Sequence, residues 1–167
     1  MSKIIRFVKR LFPKTPKMKF MYAWYYKHAA VKEHQALFES FHGKDVSDSP
    51  LAILQDFLKM PESQKFTIYF ATNDMQRDQE FINSIGLKVK LVDISTFKYT
   101  KVLATSKYLI NNSSFPAYFI RRPQQIYLQT WHGTPLKTLG KKMKYGIESM
   151  YNVPVSYTHL RAHETLM

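Results

Sequence analysis

From residue 35 onward the chain alternates between two hydrophobic periods. Short apolar runs with strand-like alternation are each followed by stretches whose apolar positions recur at helical spacing. Ala36 to Ser40 reads as a strand, and Phe41 to Ser47 as a polar loop around Gly43. Asp48-Ser49-Pro50 opens a helix, with Asp48 as a candidate cap, that Leu51, Ile53, Leu54, Phe57 and Leu58 carry to about Met60. Pro61-Glu62-Ser63 makes the turn after it. Phe66 to Ala71 is the next strand, and Asp74 to Ile85 the next helix, stopped by Gly86. Lys88 to Ile94 reads as a strand, Thr96 to Thr105 as a helix and Lys107 to Asn111 as a strand. A proline-containing connection leads to a last strand from Ile126 to Trp131. This spacing predicts βαβ units in an α/β, Rossmann-like parallel sheet with helices on both faces.

The start of the chain follows another rule. Residues 1–20 are rich in Lys and Arg and hold no Asp or Glu. On a helix, Ile4, Val8, Leu11 and Phe12 share one face, while Lys3, Arg6 and Arg10 lie largely opposite. That is the composition of a helix lying in a membrane interface, ended here by Pro13 and Pro16. Residues 17–34, with Met18, Met21, Tyr22, Tyr25, Tyr26 and Ala29, read as a second helix. Its aromatic face suits either a core or the same membrane contact. The expected division is therefore 1–34 basic amphipathic helices, 35–153 the Rossmann-like domain, and 154–167 a tail.

Composition narrows the classes. At 167 residues and 45% hydrophobic content the chain is one domain's worth with enough apolar residues for a core. No apolar run reaches the roughly 18 residues a spanning helix needs. The charge-broken start is no secretory signal, and the absence of cysteine excludes disulfides and thiolate metal sites. A cytoplasmic setting is expected. The net charge of +13 calls for polyanionic company, namely nucleic acid, anionic lipid or a phosphate polymer. No recognised nucleic-acid motif accompanies it, so nucleic acid is not the expected partner. His159, His163 and Glu164 lack the metalloprotease order and a third ligand, so no metal is expected.

The chemistry concentrates between Gln125 and Gly140. The strand ending at Trp131 is broken by His132-Gly133, and Thr134-Pro135 is a good helix opening, with Thr as N-cap and Pro at the first helical position. A strand that turns into a helix N-terminus presents unpaired backbone N–H groups to an anion, so phosphate is a natural occupant. A histidine there can trade protons near neutral pH. On physics alone His132 is a candidate beside a purely structural turn histidine.

The wording goes further. Thr130-Trp131-His132-Gly133-Thr134-Pro135-Leu136-Lys137-Thr138-Leu139-Gly140 closely resembles the signature of the CDP-glycerol glycerophosphotransferases, the teichoic-acid polymerase and primase family of Gram-positive bacteria. Two further stretches agree in order. Leu37 to Lys44 followed by Asp48-Ser49-Pro50 resembles the family's first strand and loop. Tyr108 to Asn112, then Phe115-Pro116 and Tyr118-Phe119, resembles the segment before the histidine motif. The similarity runs from about Leu37 to Val153; Pro154 to Met167 departs from it and resembles a translated adapter read-through.

The resemblance implies the N-terminal, acceptor-side half of a two-domain glycosyltransferase-B architecture. The implied reaction moves glycerol phosphate, or ribitol phosphate, from a CDP-linked donor to a lipid-linked teichoic-acid acceptor and releases CMP. No cofactor beyond the CDP-glycerol substrate is implied, and the donor would be held mainly by a C-terminal domain absent from this sequence. His132 is the implied general base. Acceptor or phosphate contacts are expected from Glu39, Gly43, Lys44, Asn111, Asn112, Trp131, Gly133, Thr134 and Lys137. The implied location is the cytoplasmic face of the membrane, held peripherally. A rival reading is a non-catalytic module that binds membrane or polyanion through its charge.

Overall fold

The computed structural model describes residues 14–131, with side chains from Lys17 onward. The expected membrane helix before Pro13, the motif residues His132, Gly133, Thr134 and Lys137, and the tail from Pro154 lie outside the described residues.

Five parallel strands form one sheet: β1 (Lys32–Glu39), β2 (Thr67–Thr72), β3 (Lys90–Asp93), β4 (Ser106–Asn111) and β5 (Ile126–Gln129). Their spatial order is β3-β2-β1-β4-β5. The helices are α1 (Lys14–His28), α2 (Asp48–Lys59), α3 (Met75–Ser84) and α4 (Phe97–Thr105). The fold is the expected α/β sheet covered on both faces. A single run of apolar residues serves both, because adjacent strand residues point to opposite sides. Phe38 packs with Leu54 of α2 and Ile82 of α3, while its neighbour Leu37 packs with Tyr22 of α1 and Tyr99 and Leu103 of α4.

Local chemistry sets the helix limits. The Asp74 carboxylate accepts from the Arg77 amide at 3.1 Å and caps α3. Thr96 does the same for α4 through the Tyr99 amide at 3.4 Å. Pro16 sits in the first turn of α1, where no backbone N–H is needed.

Two expectations are corrected. The helix read over 17–34 spans Lys14–His28, and β1 begins at Lys32. The polar start of β1 shows no apolar alternation, but pairing of Lys32 with Ser106 on β4 makes it strand. Of the two roles open to the aromatic face of α1, the structure shows core packing. Met18 and Tyr22 are buried, and the Tyr22 hydroxyl donates to the Ile120 carbonyl at 2.8 Å, tying α1 to the β4–β5 connection. The second correction concerns Asp48. The N-cap of α2 is Ser47, and Asp48 caps nothing; its carboxylate instead accepts from the Asn112 side-chain amide at 2.5 Å.

Candidate functional site at the switch point

Strand order reverses direction between β1 and β4. From β1 the chain steps outward through β2 to β3, then crosses back to place β4 on the other side of β1. At such a switch point the loops leave the two central strands in opposite directions and open a crevice at their carboxyl ends, where α/β sheets hold ligands. Here the two last strand residues, Glu39 and Asn111, are register partners.

Glu39 is only 1% exposed. Its carboxylate accepts from the Tyr99 hydroxyl at 2.6 Å and from the Asn111 side-chain amide at 3.5 Å. No Lys or Arg among the described residues forms an ion pair with it. Burial therefore pushes its pKa up to about 7, against the opposing pull of the Tyr99 and Asn111 hydrogen bonds. Burial and the adjacent Glu39 charge raise Tyr99 well above the usual phenol range and Tyr118 to about 12.

From this floor rises a three-way junction of loops. The Asn111 side-chain oxygen accepts from the Ser113 amide at 2.5 Å and its hydroxyl at 3.0 Å. Asn112 accepts from the Phe41 amide at 2.9 Å, and the Ser113 hydroxyl accepts from the His42 amide at 3.2 Å, so the β4 exit holds the β1 exit. On the other side the Thr130 amide donates to the Asn111 carbonyl at 2.9 Å, and the Gln129 side-chain amide donates to the Ser113 carbonyl. Backbone strain is confined to this junction: Phe41, His42, Asp48 and Trp131 are the non-glycine residues with left-handed φ among those described, at 46°, 57°, 58° and 58°. Such conformations cost on the order of 1–3 kcal/mol each and persist where the surroundings over-determine them, often at functional sites.

Gly43 and Lys44 are held from the β2 side. Gly43 is buried at φ +74°, and a Cβ there would lie 2.9 Å from the Ile94 side chain, so only glycine fits without movement. Its carbonyl accepts from the Asn73 amide at 2.7 Å. The Lys44 carbonyl accepts from the Arg77 guanidinium at 2.5 Å, and Arg77 also grips Asp78, a buried carboxylate that takes a further bond from the Thr72 hydroxyl. The Lys44 side chain is left exposed.

Of the ten residues singled out from sequence, six are described: Glu39, Gly43, Lys44, Asn111, Asn112 and Trp131 all lie at this one edge. Glu39, Asn111 and Asn112 are buried within the junction, so they shape it; Lys44 is the member whose side chain faces solvent. His132, Gly133, Thr134 and Lys137 lie outside the described residues, and the chain reaches Trp131 at the same edge through the Thr130–Asn111 bond. Sequence reasoning missed Tyr99, Ser113, Gln129 and the Arg77–Asp78 pair. Only Ser113 carried a signal, its place in the polar run Asn111-Asn112-Ser113-Ser114 at a strand end. Two surface hollows of about 750 and 430 Å³ lie at the opposite, amino edge, lined by residues such as Met60, Gly86, Lys32 and Lys90.

The comparisons with known proteins agree with this fold. The chain is 31% identical over 150 residues to the teichoic acid poly(glycerol phosphate) polymerase of Bacillus subtilis, covering 86% of this chain and 18% of that protein. It is 31% identical over 118 residues to the polymerase of the same name from Staphylococcus epidermidis, covering 71% of this chain and 15% of the relative. It thus spans less than a fifth of the length of these two curated relatives. Among solved structures, wall teichoic acid polymerase TagF superposes with a TM-score of 0.65 at 26% identity, over 86% of this chain and 35% of that one. A variant of TagF soaked with CDPG gives 0.67 at the same identity and coverage. Residues 20–161 match the family described as CDP-Glycerol:Poly(glycerophosphate) glycerophosphotransferase, and to that family of transferases this chain belongs.

Proposed function

We propose that this chain forms the acceptor-side wall of the catalytic cleft of a glycerophosphotransferase that extends or primes a teichoic-acid chain. The observation that carries this reading is the gathering of the described candidate residues at the β1/β4 switch point, on the edge where β5 leads into the His132 motif. In the proposed reaction a hydroxyl oxygen of the lipid-linked acceptor attacks the glycerol-bearing phosphorus of CDP-glycerol. The new O–P bond forms as the bond from that phosphorus to the CMP oxygen breaks. His132 takes the hydroxyl proton, and CMP leaves with the electron pair. Such a transfer asks mainly for alignment and charge stabilisation. Lys44, Lys137, Thr134 and the backbone amides after Gly133 are the groups we assign to the phosphate oxygens. No cofactor enters the step. Glycerol phosphate is the donor group favoured over ribitol phosphate, because the polymerases this chain resembles carry glycerol phosphate in their names.

The test is the His132→Ala variant in a form of the protein that turns over CDP-glycerol. CMP release should fall at least ~1000-fold, the range expected on losing a positioned base together with its alignment, with an unchanged circular dichroism spectrum. Near-normal turnover would remove His132 from the mechanism.

A lipid-linked acceptor also requires a membrane surface, which we place on the cytoplasmic side. The outer face of α1 presents Phe20 and Trp24, 72% and 54% exposed, beside Lys27, and the basic residues 1–13 precede it. The association proposed is peripheral, through basic and aromatic side chains at the membrane surface; no helix among the described residues is long and apolar enough to cross a membrane. Liposome sedimentation separates the readings. Binding to anionic vesicles that weakens on deletion of residues 1–16 supports it; equal binding to neutral vesicles contradicts it.

A further inference from the structure

We propose that Glu39 is the positioning residue of this site, a buried carboxyl whose proton occupancy sets the geometry of the loop junction that carries the acceptor-binding groups. The inference rests on the reading of this edge as the acceptor side.

Three observations carry it. First, the carboxylate stands at the carboxyl end of the central strand, without an ion-pair partner among the described residues. A buried carboxyl that only filled space would be better replaced by an apolar or amide side chain. Second, its two oxygens face different elements. One accepts from Tyr99 on α4, the other from Asn111 at the end of β4. Third, Asn111 is the root of the junction. Its side chain fixes Ser113, which holds the His42 amide on one side and the Gln129 side chain on the other, and its carbonyl holds Thr130.

The titratable groups packed around Glu39 are Tyr99 from α4 and Tyr118 from the β4–β5 connection, both phenols held protonated far above neutral pH. When ionised, the carboxylate accepts from both Tyr99 and Asn111. On taking up a proton at the oxygen that faces Tyr99 it can donate to the phenol oxygen, and the other oxygen becomes a neutral and so weaker acceptor for Asn111. The Asn111 bond, at 3.5 Å against 2.6 Å for Tyr99, is the weaker and yields first. Freeing the Asn111 amide loosens Ser113 and, with it, the loops on either side.

The experiment follows backbone and side-chain amide resonances of the 167-residue chain by NMR between pH 5 and 9. His42→Gln and His132→Asn are introduced first, so that no imidazole next in sequence to Phe41 or Trp131 titrates in the same range. The side-chain amide of Asn111 and the backbone amides of Ser113, His42 and Thr130 should move together with one shared midpoint. Glu39→Gln should abolish that transition, and Tyr99→Phe should move its midpoint upward, since the phenol bond favours the charged form. Resonances that do not titrate, or that titrate unchanged in Glu39→Gln, overturn the proposal. Should Glu39→Gln fail to fold, the Tyr99→Phe shift decides alone, an unmoved midpoint counting against it. This readout needs no turnover, so it stands or falls separately from the His132→Ala test. In a form with turnover, Glu39→Gln should lose the limb of the kcat/KM pH profile that shares this midpoint while retaining at least a tenth of the maximal rate. An unaltered profile contradicts a positioning role.

Discussion

The two edges of the sheet both bury polar side chains, yet they are built differently. At the amino edge Gln35, Thr105, Ser106 and Gln125 form a neutral network. The Gln35 amide donates to the Thr105 and Ser106 hydroxyls, and the Gln125 amide donates to the carbonyls of Leu103 and Ser106. Gln125 also accepts from the Arg122 amide, and Arg122 in turn reaches the carbonyls of Ala29 and Ala104. No non-glycine residue of that network has a left-handed φ. At the carboxyl edge the buried groups include two carboxylates, Glu39 and Asp78, and the loops around them hold four strained residues. Buried polarity therefore marks fold specification at one end, while charge and strain together mark the site at the other.

Substitutions should separate the two edges, and the largest effect on stability belongs to the structural one. Gln125→Ala strips partners from two buried carbonyls and the Arg122 amide and should cost about 3 kcal/mol. Thermal unfolding would register it, while turnover measured below the unfolding range should stay near normal. A loss of turnover larger than the loss of folded protein would erase the contrast between the edges.

Glu39→Gln acts in the opposite direction, and its sign follows from the shift. The unfolded carboxyl titrates near 4.5 and the buried one at about 7, so between those values the native state holds a proton the unfolded chain has released. Stability associated with Glu39 is fully present below about pH 4.5, falls as pH rises through that window, and is flat above about 7. The amide variant should therefore be more stable above pH 7, by on the order of 3 kcal/mol at most, with a flatter Tm-against-pH curve. A variant curve parallel to that of the parent would show that the carboxyl is not held protonated.

Gly43→Ala tests the loop. A left-handed φ and the 2.9 Å approach to Ile94 together should cost about 2 kcal/mol, read as a lower midpoint in urea. Asn112→Ala is expected to cost less, about 1–2 kcal/mol, because its partners Phe41 and Asp48 lie where water can reach them. In a form with turnover its effect should fall on KM for the acceptor, since it unties the β1 loop from β4. The exposed Lys107–Glu33 pair, at 2.9 Å, should matter least, at under about 1 kcal/mol.

The same contrast explains what could be read from the chain beforehand. Strand-like apolar runs alternating with stretches of helical spacing, bounded by capping and turn residues, marked each strand and helix from Ala36 onward, because in a doubly wound sheet local pattern and global burial agree. The early part of β1 was illegible: Lys32, Glu33 and His34 become strand through pairing with β4, a partner far away in sequence. The motif order pointed to Glu39, Gly43, Lys44, Asn111 and Asn112, and the strand topology brought them to one edge. Tyr99 could not be foreseen, since nothing in a helical apolar pattern says that one phenol will reach a carboxylate sixty residues earlier. Asp48 looked like a cap by its position before Ser49-Pro50, and its bond to Asn112 is visible only in three dimensions.

The most direct test of the account titrates glycerol 3-phosphate into the isotope-labelled chain and maps the amide shifts. The account predicts that Gly43, Lys44, Ser113 and Thr130 move together, while Gln35, Thr105 and Gln125 stay still. Shifts confined to the amino edge, or none at any residue of the carboxyl edge at saturating ligand, would contradict it.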